Sequence, residues 1–285
     1  MELRNKTILI TGGAGFIGSH LCEKLAEENT VYSLDNYFTG SENNHVRNVH
    51  YLKGNTKDIN SIIKFKPDIL FHLGEYSRVE QSFIDIEKVY EYNTISIIQI
   101  LEFVRKTNCK LIYAGSSTKY GDNGETKDSS PYAWSKATNT NLIVNYSEWY
   151  NINYAIVYFY NVYGGREICE GRYATLIGLF TALFKQNKPL TVVSPGTQKR
   201  NFTHIEDIVS GLIVVAEKGN GDEFGIGCEE SFSVLEVAKM FKAKIEMIPE
   251  RKGNRMDAKV ISDRTKSLGW NPRFSLKDFI DDLQR

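Results

Sequence analysis

The chain has 285 residues, and its 35 lysines and arginines balance 35 aspartates and glutamates, so its formal net charge is zero. This balance argues against proteins that coat nucleic acid or anionic membranes, because both need a surplus of positive charge. The hydrophobic content of 41% and the charged content of 25% are typical of a globular protein, not a disordered one. We expect one large domain, or a main domain that carries a smaller one.

The cysteines, histidines and apolar segments set further limits. Cys22, Cys109, Cys169 and Cys228 form no Cys-x-x-Cys pair, which indicates neither a zinc site nor a disulfide framework. The five histidines lack partners at metal-ligand spacing, so we expect no metal. The N-terminus lacks a secretory signal, and the longest uncharged apolar stretch, residues 173–184, is too short to cross a bilayer. These features predict a cytoplasmic protein with no membrane partner.

Strand-like and helix-like segments alternate through the first two thirds of the chain. The predicted helices cover residues 19–28, 87–107 and 131–150, and the predicted strands cover residues 7–11, 30–34, 49–53, 69–73, 110–114 and 153–158. Alternation of this kind predicts an α/β fold in which a parallel sheet carries helices on both faces. It favours a Rossmann-type doubly wound sheet.

The alternation ends near residue 164, which suggests a boundary. We predict a dinucleotide-binding Rossmann domain over residues 1–164 and a smaller, mainly substrate-binding lobe over residues 165–285. A helix-like stretch near residues 173–186 belongs to this second part. Segments within residues 189–218, a strand at 189–193 and a helix at 205–218, are expected to return to the main sheet.

A glycine-rich turn follows the first strand. The strand TILIT runs into GGAGFIG and then into a helical segment. Gly12, Gly15 and Gly18 permit a tight turn, close approach of the backbone to a pyrophosphate, and close packing of helix on strand. Asp35 follows the second strand, where a carboxylate binds the adenosine ribose and repels the extra phosphate of NADP. The pattern predicts an NAD site; the alternative is a turn without a ligand and an Asp35 that caps a loop.

A tyrosine and a lysine share one face of the helix predicted at residues 131–150. Ser130 and Pro131 have the chemistry that begins a helix, and Tyr132 and Lys136 are four residues apart. A buried lysine favours the phenolate form of a neighbouring tyrosine, which can then take a proton from a sugar hydroxyl as hydride leaves the same carbon. The spacing alone is not specific, but its place after the fifth strand favours a catalytic pair.

Together these segments resemble a known family over nearly the whole chain. The sequence is similar to the extended short-chain dehydrogenases/reductases, in particular the NAD-dependent sugar-nucleotide epimerases and dehydratases. The resemblance rests on Asp35, Asn93 and the segments TGGAGFIG, HLGEYSRVEQS at 72–82, YAGSSTKYG at 113–121, YAWSK, YNVYG at 160–164, RNFTHIEDI at 200–208 and LGWNP at 268–272.

The resemblance implies a set of site residues. Tyr132 corresponds to the acid/base, Lys136 to the residue that holds the nicotinamide ribose, and Ser116 to the hydroxyl that binds the reacting sugar oxygen. The nucleotide-sugar would contact Ser117, Asn161, Arg200 and Arg251, of which the two arginines suit a diphosphate. The predicted NAD-binding residues are Gly12, Gly15, Phe16, Ile17, Gly18, Asp35, Asn36, Asn55, Thr56, Leu73, Tyr132 and Lys136.

Three departures from the family pattern bear on the reaction. Ser117 and Thr118 stand where 4,6-dehydratases have Asp and Glu, and neither can transfer a proton near neutral pH, so dehydration is disfavoured. Asn55 replaces the usual aspartate at the adenine but keeps an acceptor. Glu75 replaces a small residue beside the nicotinamide, and the sequence leaves open whether it faces substrate or solvent.

The residues and the resemblance together predict NAD-dependent oxidation of the C4 hydroxyl of a nucleotide-activated sugar. Within the family, HLGEYSRVEQS and the short loop 121–130 are most similar to bacterial enzymes that oxidise GDP-heptose at C4 in capsule polysaccharide biosynthesis. The first alternative is a nucleotide-sugar 4-epimerase that uses the same 4-keto intermediate. Others are a non-catalytic NAD-binding module and an NADP-dependent ketone reductase, which Tyr132, Lys136 and Asp35 disfavour. NADH retained on purification would point to a recycled cofactor.

The resemblance also implies an oligomer. Relatives commonly form homodimers or homotetramers through the helices that correspond to residues 87–107 and 131–150, packed as a four-helix bundle. The uncharged and aromatic residues of 138–150 are compatible with such an interface and equally with burial inside one subunit.

Overall fold

A parallel sheet forms the centre of the molecule. The computed structural model describes residues 2–120, 126–249 and 260–285. In this part of the chain, seven strands pair in the order β11-β6-β5-β4-β1-β2-β3, and all neighbours are parallel. Their bounds are β1 Thr7–Thr11, β2 Thr30–Asp35, β3 Val49–Lys53, β4 Ile69–His72, β5 Lys110–Ser116, β6 Tyr154–Phe159 and β11 Gly221–Ile226. The order is that of the Rossmann fold, so the predicted fold class is confirmed.

Helices cover both faces of the sheet, because its central strands are apolar on each side. One face buries Ile8, Ile10 and Phe71, and the opposite face buries Leu9 and Leu70, each within a separate hydrophobic cluster. The helices are α1 Phe16–Leu25, α2 Ile59–Ile62, α3 Ile86–Val89, α4 Ser96–Thr107, α5 Pro131–Tyr150, α6 Leu176–Lys185, α7 Ile205–Lys218, α8 Val234–Met240, α9 Asp263–Ser267 and α10 Leu276–Leu283.

The helix ends follow local chemistry. The Ser130 hydroxyl accepts a hydrogen bond from the backbone N–H of Ala133 at 3.1 Å, with Pro131 at the first position of α5. Helices α4 and α5 each end at an asparagine in the left-handed region, Asn108 and Asn151. A π-helical section, Tyr90–Ile95, joins α3 to α4, so the helix predicted over residues 87–107 is not regular throughout.

The C-terminal third divides between the sheet and a separate cluster. Helix α7 packs through Ile208 and Leu212 into the same cluster as β1, and β11 adds a seventh strand that the periodicity did not predict. The strand at 189–193 does not join the main sheet, because β8 (Leu190–Val193) pairs instead with β13 (Ile245–Ile248). These two strands pack with α6, α8 and α10 in a third hydrophobic cluster.

The remaining strands are short. Strand β7 (Val162–Tyr163) pairs with β10 (Thr203–His204), and β9 (Lys199–Asn201) pairs with β12 (Ser231–Ser233). They lie where the chain leaves the main sheet after β6 and later returns to it through α7. Residues at the ends of these pairs are therefore placed close to the carboxyl edge of the sheet.

A buried carboxylate connects α7 to the last segment of the chain. Asp207 is fully buried, and its oxygens accept hydrogen bonds from the backbone N–H groups of Arg273, at 3.0 Å, and Phe274, at 3.1 Å. The Trp270 indole N–H donates to the backbone oxygen of Asp207 at 3.0 Å. This anchor holds the segment before α10 against the sheet.

We expect Asp207→Asn to lower the free energy of unfolding by about 2 kcal/mol, because the amide N–H₂ would face N–H donors and leave one of them unsatisfied. Urea unfolding monitored by circular dichroism measures the change. The control is Glu206→Gln in the same helical turn, where the side chain is exposed and the expected change is below about 0.5 kcal/mol. Equal effects of the two variants would contradict the role of Asp207.

Candidate active site

One cavity runs along the carboxyl edge of the sheet and collects most of the predicted site residues. Its volume of about 510 Å³ is that of a small-molecule site. The segments that follow β1, β2, β4, β5 and β6 line it together with the first turns of α5. The predicted residues that line it are Gly12, Gly15, Phe16, Ile17, Gly18, Asp35, Asn36, Thr56, Leu73, Ser116, Ser117, Tyr132, Lys136, Asn161 and Arg200. Arg251 lies outside the described residues.

The glycine turn between β1 and α1 has no room for side chains. Gly12 has a φ of +75°, and a Cβ placed on it would lie 2.9 Å from the Cα of Gly74. A Cβ on Gly18 would lie 2.1 Å from the backbone oxygen of Gly12. Helix α1 begins at Phe16, immediately after Gly15, so its free N–H groups open onto the cavity. This cradle fits the pyrophosphate of a dinucleotide.

Asp35 lies at the end of β2, beside this turn. Its two carboxylate oxygens accept hydrogen bonds from the backbone N–H groups of Ala14, at 2.9 Å, and Tyr37, at 2.8 Å. Burial raises the pKa of the carboxyl, although these hydrogen bonds oppose the rise. Each oxygen keeps a second lone pair, so the carboxylate can still accept from ribose hydroxyls on its cavity side.

Two asparagines near Asp35 pair with each other. The Asn36 side-chain amide donates to the Asn55 side-chain oxygen at 2.7 Å. The Asn55 acceptor that was expected at an adenine thus has one of its two lone pairs engaged by Asn36, while Asn36 and Thr56 line the cavity. The sequence could not reveal this pairing, since the two residues follow different strands.

Tyr132 and Lys136 lie on the first two turns of α5, at the opposite end of the cavity from Asp35. Tyr132 is 9% exposed and Lys136 is 5% exposed. The Lys136 ammonium donates a hydrogen bond to the backbone oxygen of Ala114 in β5 at 2.6 Å. Ser116 ends β5, and its oxygen accepts a hydrogen bond from the Thr118 hydroxyl at 2.9 Å. The fold thus brings Ser116, Tyr132 and Lys136 to one end of the cavity.

Glu75 does not face bulk solvent, one of the two alternatives that the sequence left open, but is buried at the wall of the cavity. Its side chain is 2% exposed, and one carboxylate oxygen lies 2.5 Å from Lys136 Nζ. The Tyr113 hydroxyl donates to the same oxygen at 2.9 Å. His72 is fully buried and its Nδ1 lies 2.7 Å from the Thr11 hydroxyl, which is the environment of a core residue rather than a catalyst.

Asn93 fixes the segment after β4 against α5. Its side-chain oxygen accepts from the backbone N–H of Tyr76 at 2.7 Å, and its amide donates to the Ser135 hydroxyl at 2.9 Å. The π-helical section Tyr90–Ile95 contains Asn93, and single π turns of this kind are frequent at functional sites. The position of the loop that carries Glu75 depends on these contacts.

Arg78 lines the cavity and was not predicted as a site residue. Its Nε donates to the backbone oxygen of Tyr173 at 2.8 Å, and burial lowers the pKa of its guanidinium. The position of the segment HLGEYSRVEQS could have indicated that Arg78 lies at the site, because this segment follows a buried strand and starts at the carboxyl edge of the sheet. No spacing rule, however, distinguishes Arg78 from its exposed neighbours.

The described lining residues include two carboxylates, Asp35 and Glu75. Asp35 lies at the glycine turn, and Glu75 is bound to Lys136. Neither therefore offers a free acid beside Ser117 and Thr118.

The far wall of the cavity comes from the short strands and α6. The Asn161 side-chain amide donates to the backbone oxygen of Asn201 at 3.0 Å, and an Arg200 Nη donates to the backbone oxygen of Lys199 at 2.7 Å. Thr175 and Ile177 line the cavity at the start of α6.

Among the residues that the structure describes, no helix is both long and apolar enough to cross a membrane.

Known proteins are similar to this chain in sequence and in fold. The family described as the NAD dependent epimerase/dehydratase family matches residues 8–227. A putative UDP-glucose 4-epimerase from Methanocaldococcus jannaschii is 31% identical, with 96% of this chain and 95% of that protein covered. UDP-glucuronic acid decarboxylase 6 from Arabidopsis thaliana is 29% identical, with 96% and 86% covered.

Solved structures of an epimerase of this kind have the same fold as this chain. The structure of a UDP-glucose 4-epimerase from Thermotoga maritima, solved with UDP-glucose, has a TM-score of 0.90 and 26% identity, and 96% of each chain is covered. Tyr132, Lys136 and the glycine turn occupy one cavity of a fold that this relative shares. The match over residues 8–227 covers well over half of the sequence, so the chain belongs to the NAD-dependent epimerase/dehydratase family and is an NAD-dependent enzyme.

Proposed function

We propose that the protein oxidises the C4 hydroxyl of a nucleotide-activated sugar to a ketone, with Tyr132 as the base. The observation that carries this proposal is the single cavity that holds the glycine turn at one end and Ser116, Tyr132 and Lys136 at the other. The relatives named above, an epimerase and a decarboxylase, are described as acting on UDP-sugars, which supports a nucleotide-sugar substrate.

Each part of the cavity has a role in this reaction. Gly12, Gly15 and Gly18 would hold the pyrophosphate of NAD. Asp35 would accept hydrogen bonds from the hydroxyls of its adenosine ribose. Bound NAD supplies the acceptor for the hydride. Ser116 orients the sugar oxygen, and Tyr132 takes the hydroxyl proton as the ketone forms.

Thr56, Leu73, Phe16 and Ile17 complete the proposed cofactor wall, with Asn36 beside them. The Asn55 oxygen accepts a hydrogen bond from Asn36 and keeps a second lone pair for the adenine. Lys136 positions the nicotinamide ribose by donating the N–H that Glu75 and Ala114 leave available.

The sugar nucleotide would lie between the sheet edge and the C-terminal elements. Asn161, Arg200 and Ser117 line that side of the cavity, and Arg200 carries the charge that suits a diphosphate. Arg251 keeps the same proposed role from the sequence. The cluster of α6, β8, α8, β13 and α10 then forms the substrate lobe, while α7 and β11 belong to the cofactor-binding part.

Two products follow from one 4-keto intermediate. If hydride returns to the opposite face, the enzyme is a 4-epimerase, which the epimerase relatives favour. If the ketone leaves, the enzyme is a net 4-dehydrogenase, which the segment HLGEYSRVEQS favours through its likeness to enzymes that act on GDP-heptose. Ser117 and Thr118 argue against a third product, a dehydrated sugar.

Incubation with a panel of GDP-, UDP- and dTDP-sugars, followed by mass spectrometry and NMR, tests the function. We expect a product with unchanged mass and inverted C4, or one lighter by two hydrogens. A product lighter by one water would contradict the proposal. Bound NAD without any product across the panel would instead support the non-catalytic binding module.

We expect Tyr132→Phe to lower kcat by about 100-fold or more, because general-base catalysis contributes at least this factor. NAD binding should persist, since the ring stays in place. The matched control is Tyr146→Phe on the same helix, whose hydroxyl lies 3.4 Å from Glu102 and which should leave kcat unchanged. Full activity of the Tyr132 variant would show that another group is the base.

We expect Asp35→Asn to reduce the preference for NAD over NADP by roughly tenfold or more. The variant lacks the carboxylate charge that repels the extra phosphate of NADP. Titration of each cofactor by calorimetry gives the ratio of the two dissociation constants. A ratio equal to that of the parent protein would mean that Asp35 does not select the cofactor.

We also propose a homodimer, or a tetramer built from it, formed through α3, α4 and α5. Large apolar side chains on these helices and the turns before them are exposed, namely Ile84, Ile86, Tyr90, Ile95, Ile98, Trp134, Trp149 and Tyr150. The concentration of exposed apolar side chains on these helices supports an association site there.

We expect Ile98→Glu to convert the oligomer to a monomer at micromolar concentration, as measured by sedimentation velocity, because a carboxylate would be buried at the interface. Met247→Glu is the control, since Met247 is 46% exposed, as Ile98 is, but lies on β13. A wild-type chain that sediments as a monomer would overturn the proposal.

A further inference from the structure

Glu75 is a buried carboxylate, and each of its two oxygens receives a hydrogen bond from a side chain. One oxygen receives Lys136 Nζ at 2.5 Å and the Tyr113 hydroxyl at 2.9 Å. The other receives the Asn139 amide at 3.0 Å and lies 3.4 Å from Nε2 of His72. A buried carboxylate is tolerated only with such compensation.

The same contacts determine how Lys136 is used. An ammonium has three N–H donors. One points to Glu75, and a second points to the backbone oxygen of Ala114 at 2.6 Å. One donor is left for a ligand in the cavity, and its direction is fixed because β5 and the loop after β4 hold the other two.

Titratable and charged groups surround the Glu75–Lys136 pair on the elements that pack against it. His72 faces it from β4, Tyr113 from β5, and Tyr132 lies one helical turn before Lys136 on α5. Arg78, on the loop after β4, lines the same cavity. Burial raises the pKa of Glu75, but the charge of Lys136 and the contact with His72 outweigh burial and bring it to about 2.

Glu75 and Lys136 therefore form an ion pair with no net charge at neutral pH. A buried ion pair is weak evidence for a role in stability, because apolar residues of similar volume often serve the fold equally well. The location of this pair, one turn from Tyr132 and against the wall of the cavity, points to the site instead.

We propose that Glu75 is a positioning residue that fixes the Lys136 ammonium in one orientation and offsets its charge beside Tyr132. This rests on the proposed function, in which Tyr132 is the base. Glu75 thereby balances the charge of a lysine that lies one helical turn from the tyrosine, and its removal would leave that charge unpaired.

The test is the pH at which the Tyr132 phenolate forms in the NAD-bound protein. Phenolate absorbance is titrated in the parent and in Glu75→Gln, and the matching titration of each protein with Tyr132→Phe is subtracted. We expect the midpoint to fall by roughly one pH unit or more in Glu75→Gln, because the positive charge of Lys136 is then left unpaired and favours the phenolate. An unchanged midpoint would overturn the proposal.

Two variants separate charge from folding defects. Glu75→Asp keeps the charge but moves it back by one methylene, so the phenolate midpoint of this variant should fall between those of the parent and Glu75→Gln. If the glutamine variant does not fold, the comparison of the parent with Glu75→Asp is the test. Glu206→Gln removes an exposed carboxylate on α7, outside the residues that line the cavity. It should leave the midpoint unchanged, and an equal shift would refute a local role.

Acid unfolding tests the ion pair without reference to the reaction. The folded pKa of about 2 lies below the usual 4.5, so the pair stabilises the protein fully above pH 4.5 and loses that contribution as the pH falls towards 2. The stability gap between the parent and Glu75→Gln should narrow across this interval, as measured by urea unfolding. A constant gap would contradict the ion pair.

The outcomes distinguish this inference from the proposed function. A lowered phenolate midpoint without turnover of any nucleotide-sugar would overturn the function and leave Glu75 as a positioning residue of Tyr132. Turnover with kcat lowered in Glu75→Gln, but with unmoved midpoint and pH profile, would keep the function and assign Glu75 to folding alone.

Discussion

The close approach of two backbone segments at the carboxyl edge of the sheet is the constraint on which the site depends. Strands β1 and β4 are parallel neighbours, so the turns that follow them leave the sheet side by side. Gly12 and Gly74 meet there, at a distance that leaves no space for a Cβ on Gly12. The backbone N–H of Gly74 donates to the Thr11 hydroxyl at 3.1 Å, which locks the two turns together. The cavity opens directly above this contact.

Much of this arrangement could be predicted from the sequence because it depends on local signals. The strand at residues 7–11 ends in a glycine turn, and Ser130 with Pro131 begins α5; both are visible in a few consecutive residues. The pairings of β8 with β13 and of β11 with β6 could not be predicted, since they join segments more than 50 residues apart through short strands. Charged residues at the start of β11, such as Asp222 and Glu223, also mask its strand pattern.

The site shows the same division. Ser116, Tyr132 and Lys136 come together as the spacing and the parallel topology require. The environment of Glu75 depends instead on four side chains from three elements, and no sequence pattern reports such a convergence. Asn55 illustrates the same limit: its residue type keeps the expected acceptor, but the hydrogen bond from Asn36 to this oxygen joins segments that follow different strands. Residue type is thus readable from sequence, whereas the partner that uses each lone pair is not.

The glycine contact also explains why a carboxylate at position 75 must pair with Lys136. Because Gly74 is held against Gly12 and Thr11, the chain after β4 turns inward, and the side chain of the next residue is directed into the space between β5 and α5. A small residue would leave this space to the lysine alone. A glutamate fills it, and burial then requires a cation, for which Lys136 is the neighbour within reach. The packing that forms the cofactor turn therefore fixes the electrostatics around the tyrosine, so a substitution at either glycine would disturb cofactor binding and the lysine at once.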